Sequence, residues 1–215
     1  MKYNYGGIYK EYPLEEGEPY IFDDGSTIQV HNIYEETPRF MYEADVLFID
    51  PPWNLGNLNT FYMKAEQDER IECFKNFYTR LFEVIRDINP RWCFVEVGKE
   101  HLADFIMEMR KIFKYVTFYN STYYHSKDKL CYVVQGSKRR RNFKLDGMDE
   151  QHIIEWVCKN IDYQCIGDLC MGQGLVGYYS NMYGKKFVGT ELNHKRLSVL
   201  IKRIEKGKLN VKGRQ

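Results

Sequence analysis

Asp168-Leu169-Cys170-Met171-Gly172-Gln173-Gly174-Leu175-Val176-Gly177 leads out of an apolar run, turns on its glycines and continues with helical spacing. Phe187-Val188-Gly189-Thr190-Glu191 follows as a second apolar run ending on a carboxylate. The order is strand, glycine turn, helix, strand. Glycines let the backbone approach a ligand closely, and an acid at the end of the second strand can accept both hydroxyls of a ribose. Asp168, Leu169, Cys170, Gly172, Gly174 and Glu191, with Leu192 and Asn193 directly after, are therefore the candidate cofactor-binding residues.

The spacing alone also fits a dinucleotide site, with Glu191 lying 19 residues past Gly172. Chain order separates the two readings. A dinucleotide fold needs further strands after the acid to build its second half. Here 24 residues follow Glu191, and a helix beginning at Asn193 uses most of them. The other strands come earlier, so a single adenosine group is expected, as in S-adenosylmethionine, and NAD is disfavoured.

Working outward, strands and helices alternate. Ala44 to Ile49 reads as a strand buried on both faces, and Asp50-Pro51-Pro52 stops it. Apolar residues at helical spacing predict a helix over Glu69 to Ile88, ended by Asn89-Pro90. Trp92 to Val97 is the next strand and Lys99 to Phe113 the next helix. Tyr115 to Tyr124 and Leu130 to Gln135 suggest an antiparallel pair around a turn at His125 to Lys129. Helices are expected over Gly147 to Asn160, Leu175 to Tyr183 and Asn193 to Lys206, with strands at Tyr163 to Leu169 and Lys186 to Thr190. Near the N-terminus, Asp24-Gly25 is placed to turn a hairpin between Tyr20-Ile21-Phe22 and Thr27 to Val30. The expected fold class is α/β, Rossmann-like: a mostly parallel sheet, helices on both faces, and an antiparallel pair at one edge.

Length and composition agree with one domain. The chain has 215 residues, 44% of them apolar and 28% charged, an ordinary globular balance. It divides into an acidic hairpin-containing segment (1–44), a half around Asp50 (45–145) and a cofactor half (146–215). A net charge of +1 excludes a polycation that grips nucleic acid by bulk charge. No run approaches the roughly 18–20 apolar residues of a membrane span, and no apolar leader opens the chain. Six cysteines without a Cys-x-x-Cys pair read as thiols in a reducing, cytoplasmic setting. The histidines have no metal-ligand spacing, so no metal is expected. The cations concentrate in Lys127 to Lys144 and in Lys195 to Gln215, either as solvated surface or as phosphate contacts.

The second decisive stretch is Leu47-Phe48-Ile49-Asp50-Pro51-Pro52-Trp53-Asn54. An acid at a strand end is pinned by two prolines of fixed φ, with an aromatic directly after. An exocyclic base amine is a poor nucleophile because its lone pair is conjugated into the ring. Asp50 and the Pro51 carbonyl are placed to accept its two hydrogens and free that lone pair, while Trp53 stacks on the base. Stacking is worth about 1–3 kcal/mol per base.

With both stretches in view, the chain resembles S-adenosylmethionine-dependent amino methyltransferases acting on nucleic acid. Asp50-Pro51-Pro52-Trp53 looks like their catalytic tetrad, Asp168 to Gly174 like their cofactor loop, and Glu191 like their ribose-binding acid. Catalytic motif first and cofactor loop last is similar to the permuted β group of DNA adenine-N6 methyltransferases. The messenger-RNA adenosine methyltransferases share that order and the tryptophan. The resemblance implies a DNA adenine-N6 methyltransferase acting on a flipped or single-stranded adenine, with RNA as the alternative polymer and a catalytically silent nucleic-acid-binding subunit as the alternative role. Lys144 to Asp149 departs from the lysine-proline element of that group, which leaves the partner of the methionine carboxylate unassigned. No obvious separate recognition domain lies between Trp53 and Asp168, so site selectivity is low, resides in short loops, or requires a partner subunit, in a homo- or heterodimer. The candidate nucleic-acid contacts are Asn54 and Lys64, after the tetrad, and the basic stretch Lys138, Arg139, Arg140 and Arg141. All of this requires Asp50 and the loop at Gly172 to share one cleft.

Overall fold

Val46, Leu47, Phe48 and Ile49 are all buried, as a strand covered on both faces must be. The structure, a computed structural model, describes residues 4–123, 126, 129–141 and 143–206. Tyr124, His125, Lys127, Asp128, Asn142 and the tail from 207 lie outside the described residues. In chain order the strands are β1 (Pro19–Ile21), β2 (Thr27–Val30), β3 (Val46–Ile49), β4 (Trp92–Val97), β5 (Tyr115–Thr122), β6 (Leu130–Ser137), β7 (Cys165–Asp168) and β8 (Lys186–Glu191). The helices are α1 (Leu55–Lys64), α2 (Phe74–Ile88), α3 (Leu102–Ile112), α4 (Glu150–Asn160), α5 (Leu175–Met182) and α6 (His194–Lys206). The strands form one sheet in the order β1-β2-β8-β7-β3-β4-β6-β5.

From β2 across to β4 every neighbouring pair is parallel. Antiparallel pairing is confined to the two sides: β1 on β2 at one edge, and β4-β6-β5 at the other. This is the expected α/β Rossmann-like architecture, with the N-terminal hairpin added beside β8. Alternation along the strands divides the core into two layers. Leu47, Ile49, Cys93 and Val95 face α1, α2 and α3, whereas Val46, Phe48, Phe94 and Ile166 face α4, α5 and α6.

Chain direction fixes where the cleft opens. From β3 the chain leaves through α1 and α2 to β4 on one side; from β7 it leaves through α5 to β8 on the other. β3 and β7 are neighbours, with Val46 opposite Ile166 and Leu47 opposite Gly167. Their carboxyl ends therefore flank the point where the crossovers diverge, the usual ligand crevice of such sheets. Asp50 and Asp168 stand at those two ends.

One helix and two helix starts depart from the sequence expectation for local reasons. Leu55–Lys64, not among the expected elements, is a helix whose first turn is capped by the Asn54 side chain accepting from Asn57 N at 2.9 Å. α2 starts at Phe74 instead of Glu69 because Ile71 is held elsewhere: its N–H donates to Asn59 Oδ1 and its carbonyl accepts from Asn59 Nδ2, both at 2.9 Å. α4 starts after Asp149, whose side chain accepts from Gln151 N, and not at Gly147, which has φ of 79°. The end of α2 is as expected: Asn89 is left-handed (φ 56°) and Pro90 follows.

The cation-rich C-terminal helix is paired within the chain. Lys202 and Lys206 meet Glu11, Lys195 meets Glu66, and Tyr12 donates to Glu205. Glu11 and Tyr12 thus fasten the N-terminal segment against α6. No helix among the described residues is long and apolar enough to cross a membrane.

Candidate active site

A cleft of about 890 Å³ opens at the carboxyl ends of β3, β4, β7 and β8, and brings the two sequence motifs together. Asp50, Pro51, Pro52 and Trp53 form one wall; Asp168, Leu169, Cys170, Gly172, Glu191 and Leu192 form the opposite one. The requirement that Asp50 and the glycine loop share one cleft is met.

Asp50 is partly exposed at the floor, with both prolines buried behind it. Its Oδ1 accepts a hydrogen bond from Trp53 Nε1 at 3.1 Å. The indole also meets the Tyr123 ring edge-on, centroids 4.8 Å apart, and lies against Gly98, where an added Cβ would come within 3.0 Å of Trp53 Cε3. Trp53 is thus held on two sides. Burial pushes the Asp50 carboxyl up to about 6, with the Trp53 bond and Arg196 opposing and Glu191 adding to the rise.

The glycine loop is braced by its own acid. Glu191 Oε2 accepts from Gly172 N at 2.6 Å, Oε1 accepts from Asn193 N at 3.0 Å, and Arg196 Nη1 lies 3.9 Å from Oε2. A carboxylate offers about four lone-pair sites, so these contacts leave capacity for two further hydroxyl donors. Gly172 and Gly174 have φ of 56° and 74°, and a Cβ on Gly174 would sit 2.6 Å from Leu200 Cβ. A side chain at Gly174 would therefore separate the loop from α6. Asp168 is buried, accepts from Cys170 N at 2.9 Å, and is raised well above the usual carboxylate range by burial.

Two sequence candidates serve the scaffold instead. Asn54 spends its side chain capping α1. Asn193, 2% exposed, caps α6 through Lys195 N at 2.9 Å and donates from Nδ2 to the Lys64 carbonyl, tying α6 to the end of α1. Lys64 does reach the cleft, beside Phe61.

The basic stretch is not brought to the cleft. β6 runs antiparallel to β4, so Ser137 pairs with Trp92, the first residue of β4, at the end of the sheet away from Asp50. Lys138, Arg139, Arg140 and Arg141 continue from there and are exposed. A strand of the length of β4 spans about 20 Å, which separates these cations from the site.

Several cleft residues carried little or no signal in the sequence. Arg196 is one turn into an amphipathic helix, Tyr123 ends an edge strand, and Glu150 and Gln151 open α4. Glu96 lies in an apolar strand, where a lone acid was the available clue.

The raised carboxyl of Asp50 has a measurable consequence for stability. Between the unfolded value of 3.8 and about 6, the native state holds a proton that the unfolded state has lost. Stability therefore falls as pH rises through that window, and the cost is complete above it. Asp50→Asn is expected to raise the unfolding free energy at pH 8 by about 1–3 kcal/mol, at ~1.4 kcal/mol per pKa unit. The gain should shrink towards pH 4, as followed by calorimetry across that range.

The fold is shared with solved structures. M1.HpyAVI is 14% identical, with 83% of this chain and 98% of that one covered and a TM-score of 0.54. TTHA0409 from Thermus thermophilus, described as a DNA modification methylase, is also 14% identical, over 77% of this chain and 88% of that one, with a TM-score of 0.55. The same protein complexed with S-adenosyl-L-methionine gives 15%, 77%, 88% and 0.53. At such identities the likeness is one of fold. No family model matches the chain, and no curated protein does.

Proposed function

We propose that this chain methylates the exocyclic amine of a flipped or single-stranded adenine in DNA, using S-adenosylmethionine. The carrying observation is the meeting, in one cleft, of a partly exposed Asp50 behind a Pro-Pro turn with a glycine loop braced by Glu191. The chain's own features fit that cofactor. Positive-φ glycines form a cradle, Glu191 retains acceptor capacity for ribose hydroxyls, and a wall rich in carboxyl groups suits a sulfonium cation. The solved relative TTHA0409 was obtained with S-adenosyl-L-methionine, which supports the choice. Its description as a DNA modification methylase supports DNA as the polymer.

When bound, this cofactor supplies an electrophilic methyl group. The residues of the chain do the rest. The Asp50 carboxylate and the Pro51 carbonyl accept the two amine hydrogens and localise the nitrogen lone pair. Asp50, raised to about 6, is also a base of suitable strength for the proton the amine gives up. Trp53, held by Asp50 and Tyr123, provides the flat surface on which the base stacks. A paired base cannot reach this floor, so the target must be extruded or unpaired. Adenine is favoured over cytosine by the aspartate in first place of the tetrad, where cytosine-N4 enzymes usually carry serine.

The test is incubation with labelled cofactor and separate DNA and RNA substrates, followed by nucleoside mass spectrometry. N6-methyladenine in DNA is expected. Product in RNA alone would move the assignment to the other polymer, N4-methylcytosine would overturn the base, and cofactor binding without product would leave a silent subunit.

A further inference from the structure

Glu96 is a cleft side chain that the site described so far leaves unused. It lies on β4, 0% exposed, and among the described residues no N–H or O–H donates to either carboxyl oxygen, the Cys131 thiol being the one weak donor beside it. A buried polar group without a partner costs several kcal/mol in an apolar setting, so its retention calls for an explanation. The register explains where it points. Ile49 pairs with Val95 in the parallel β3–β4 ladder, so Asp50 and Glu96 follow side by side, one interstrand spacing of about 4.8 Å apart. Alternation carries both to the side of Phe48 and Phe94, which share one core layer, and both line the cleft.

We propose that Glu96 reads the target base: its carboxyl group donates a hydrogen bond to the ring nitrogen beside the amine that Asp50 holds. This rests on the methyltransfer reading and adds the recognition step to it. On adenine, that ring nitrogen is one carbon away from the amine, matching two acidic side chains on adjacent strands. The groups bearing on Glu96 are Asp50 from β3, Cys131 from β6, and Glu150 and Asp149 from α4. Burial is the largest influence and raises the Glu96 carboxyl well above the usual carboxylate range; Asp50, Glu150 and Asp149 add to the rise and the Cys131 thiol, a weak donor, opposes it, so the neutral form is favoured. A neutral carboxyl has an O–H to give. Adenine offers an acceptor at that position to the O–H; guanine and thymine offer an N–H, which the carboxyl C=O could take only by leaving the O–H without that acceptor and setting an oxo group, not an amine, against Asp50. Cytosine also offers an acceptor, so Glu96 selects amino bases against oxo bases, and the size of the pocket must separate adenine from cytosine.

The experiment compares single-stranded oligonucleotides carrying one adenine or one 1-deazaadenine, in which that ring nitrogen is a C–H and the amine is kept. Single-turnover methylation is measured for the wild-type chain, Glu96→Leu and Glu96→Gln. The wild type is expected to lose roughly 10–100-fold in kcat/KM on 1-deazaadenine, the scale of an unmade buried hydrogen bond. Glu96→Leu should be slower on adenine yet indifferent to the deaza change, and Glu96→Gln, which keeps an N–H donor, should retain most of the discrimination. An equal deaza penalty in the wild type and Glu96→Leu, or no penalty in the wild type, would overturn the assignment of Glu96 while leaving methyltransfer intact. The second of these outcomes is read without any variant, so a misfolded mutant cannot obscure it. No methylation of either oligonucleotide by the wild type would overturn both readings.

Discussion

Asp50→Asn is expected to lower single-turnover methylation by roughly 10³-fold or more, while cofactor affinity stays within several-fold of the wild-type value. The substitution keeps an oxygen able to accept from Trp53 Nε1, so the indole, also fixed by Tyr123 and by the space at Gly98, should stay in place. On the proposed reading, what is lost is the negative charge that faces the amine and the base that takes its proton. General-base contributions alone are typically about 10²–10⁴-fold, and loss of lone-pair localisation adds to that. In the wild type, activity should fall as pH drops through about 6, because protonated Asp50 has lost its negative charge and can no longer take the proton the amine gives up. Rapid-quench kinetics and calorimetric titration of the cofactor separate the two readouts. A large loss of cofactor affinity with near-normal turnover would refute the role given to Asp50. The same variant is expected to be the more stable protein at pH 8, as a site kept at the expense of stability should behave.

Glu191→Ala is expected to show the converse: cofactor binding weakened roughly 10–150-fold, about 1.5–3 kcal/mol for hydrogen bonds to a charged group. Turnover at saturating cofactor should change far less. Two effects combine in the binding loss. The ribose acceptors disappear, and the Gly172 and Asn193 N–H groups lose the carboxylate that sets the loop. Glu191→Gln, which retains an oxygen for one of those donors, should fall between. Titration calorimetry measures both. Affinity unchanged by Glu191→Ala would remove the loop from the cofactor site.

The fold was legible because its central strands are written as unbroken apolar runs, such as Val46 to Ile49, and stopped by distinctive residues. That the two motifs meet in one cleft was a requirement of the resemblance, which the structure had to supply. Side-chain bonds between distant residues were not legible. Asn59 takes the backbone of Ile71 out of the helix that its periodicity suggests, and nothing local announces this. The distance of the basic stretch from the cleft was hidden for a reason of direction: composition marks four consecutive cations but not that β6 runs back toward the start of β4. Glu96 was hidden in plain sight, since an acid in a strand reads as surface until both faces of that strand are known to be covered.

The position of that basic stretch bears on how a polymer would be gripped. With Lys138 to Arg141 at the far end of the sheet, the cations lining the cleft among the described residues are Lys64, Arg196 and Arg203, and Arg196 already faces Glu191. On the proposed reading, these three would displace few counterions from a strand lying across the mouth, and would offer little binding energy to prise a stacked base from a duplex. Targets that arrive already unpaired hold the advantage.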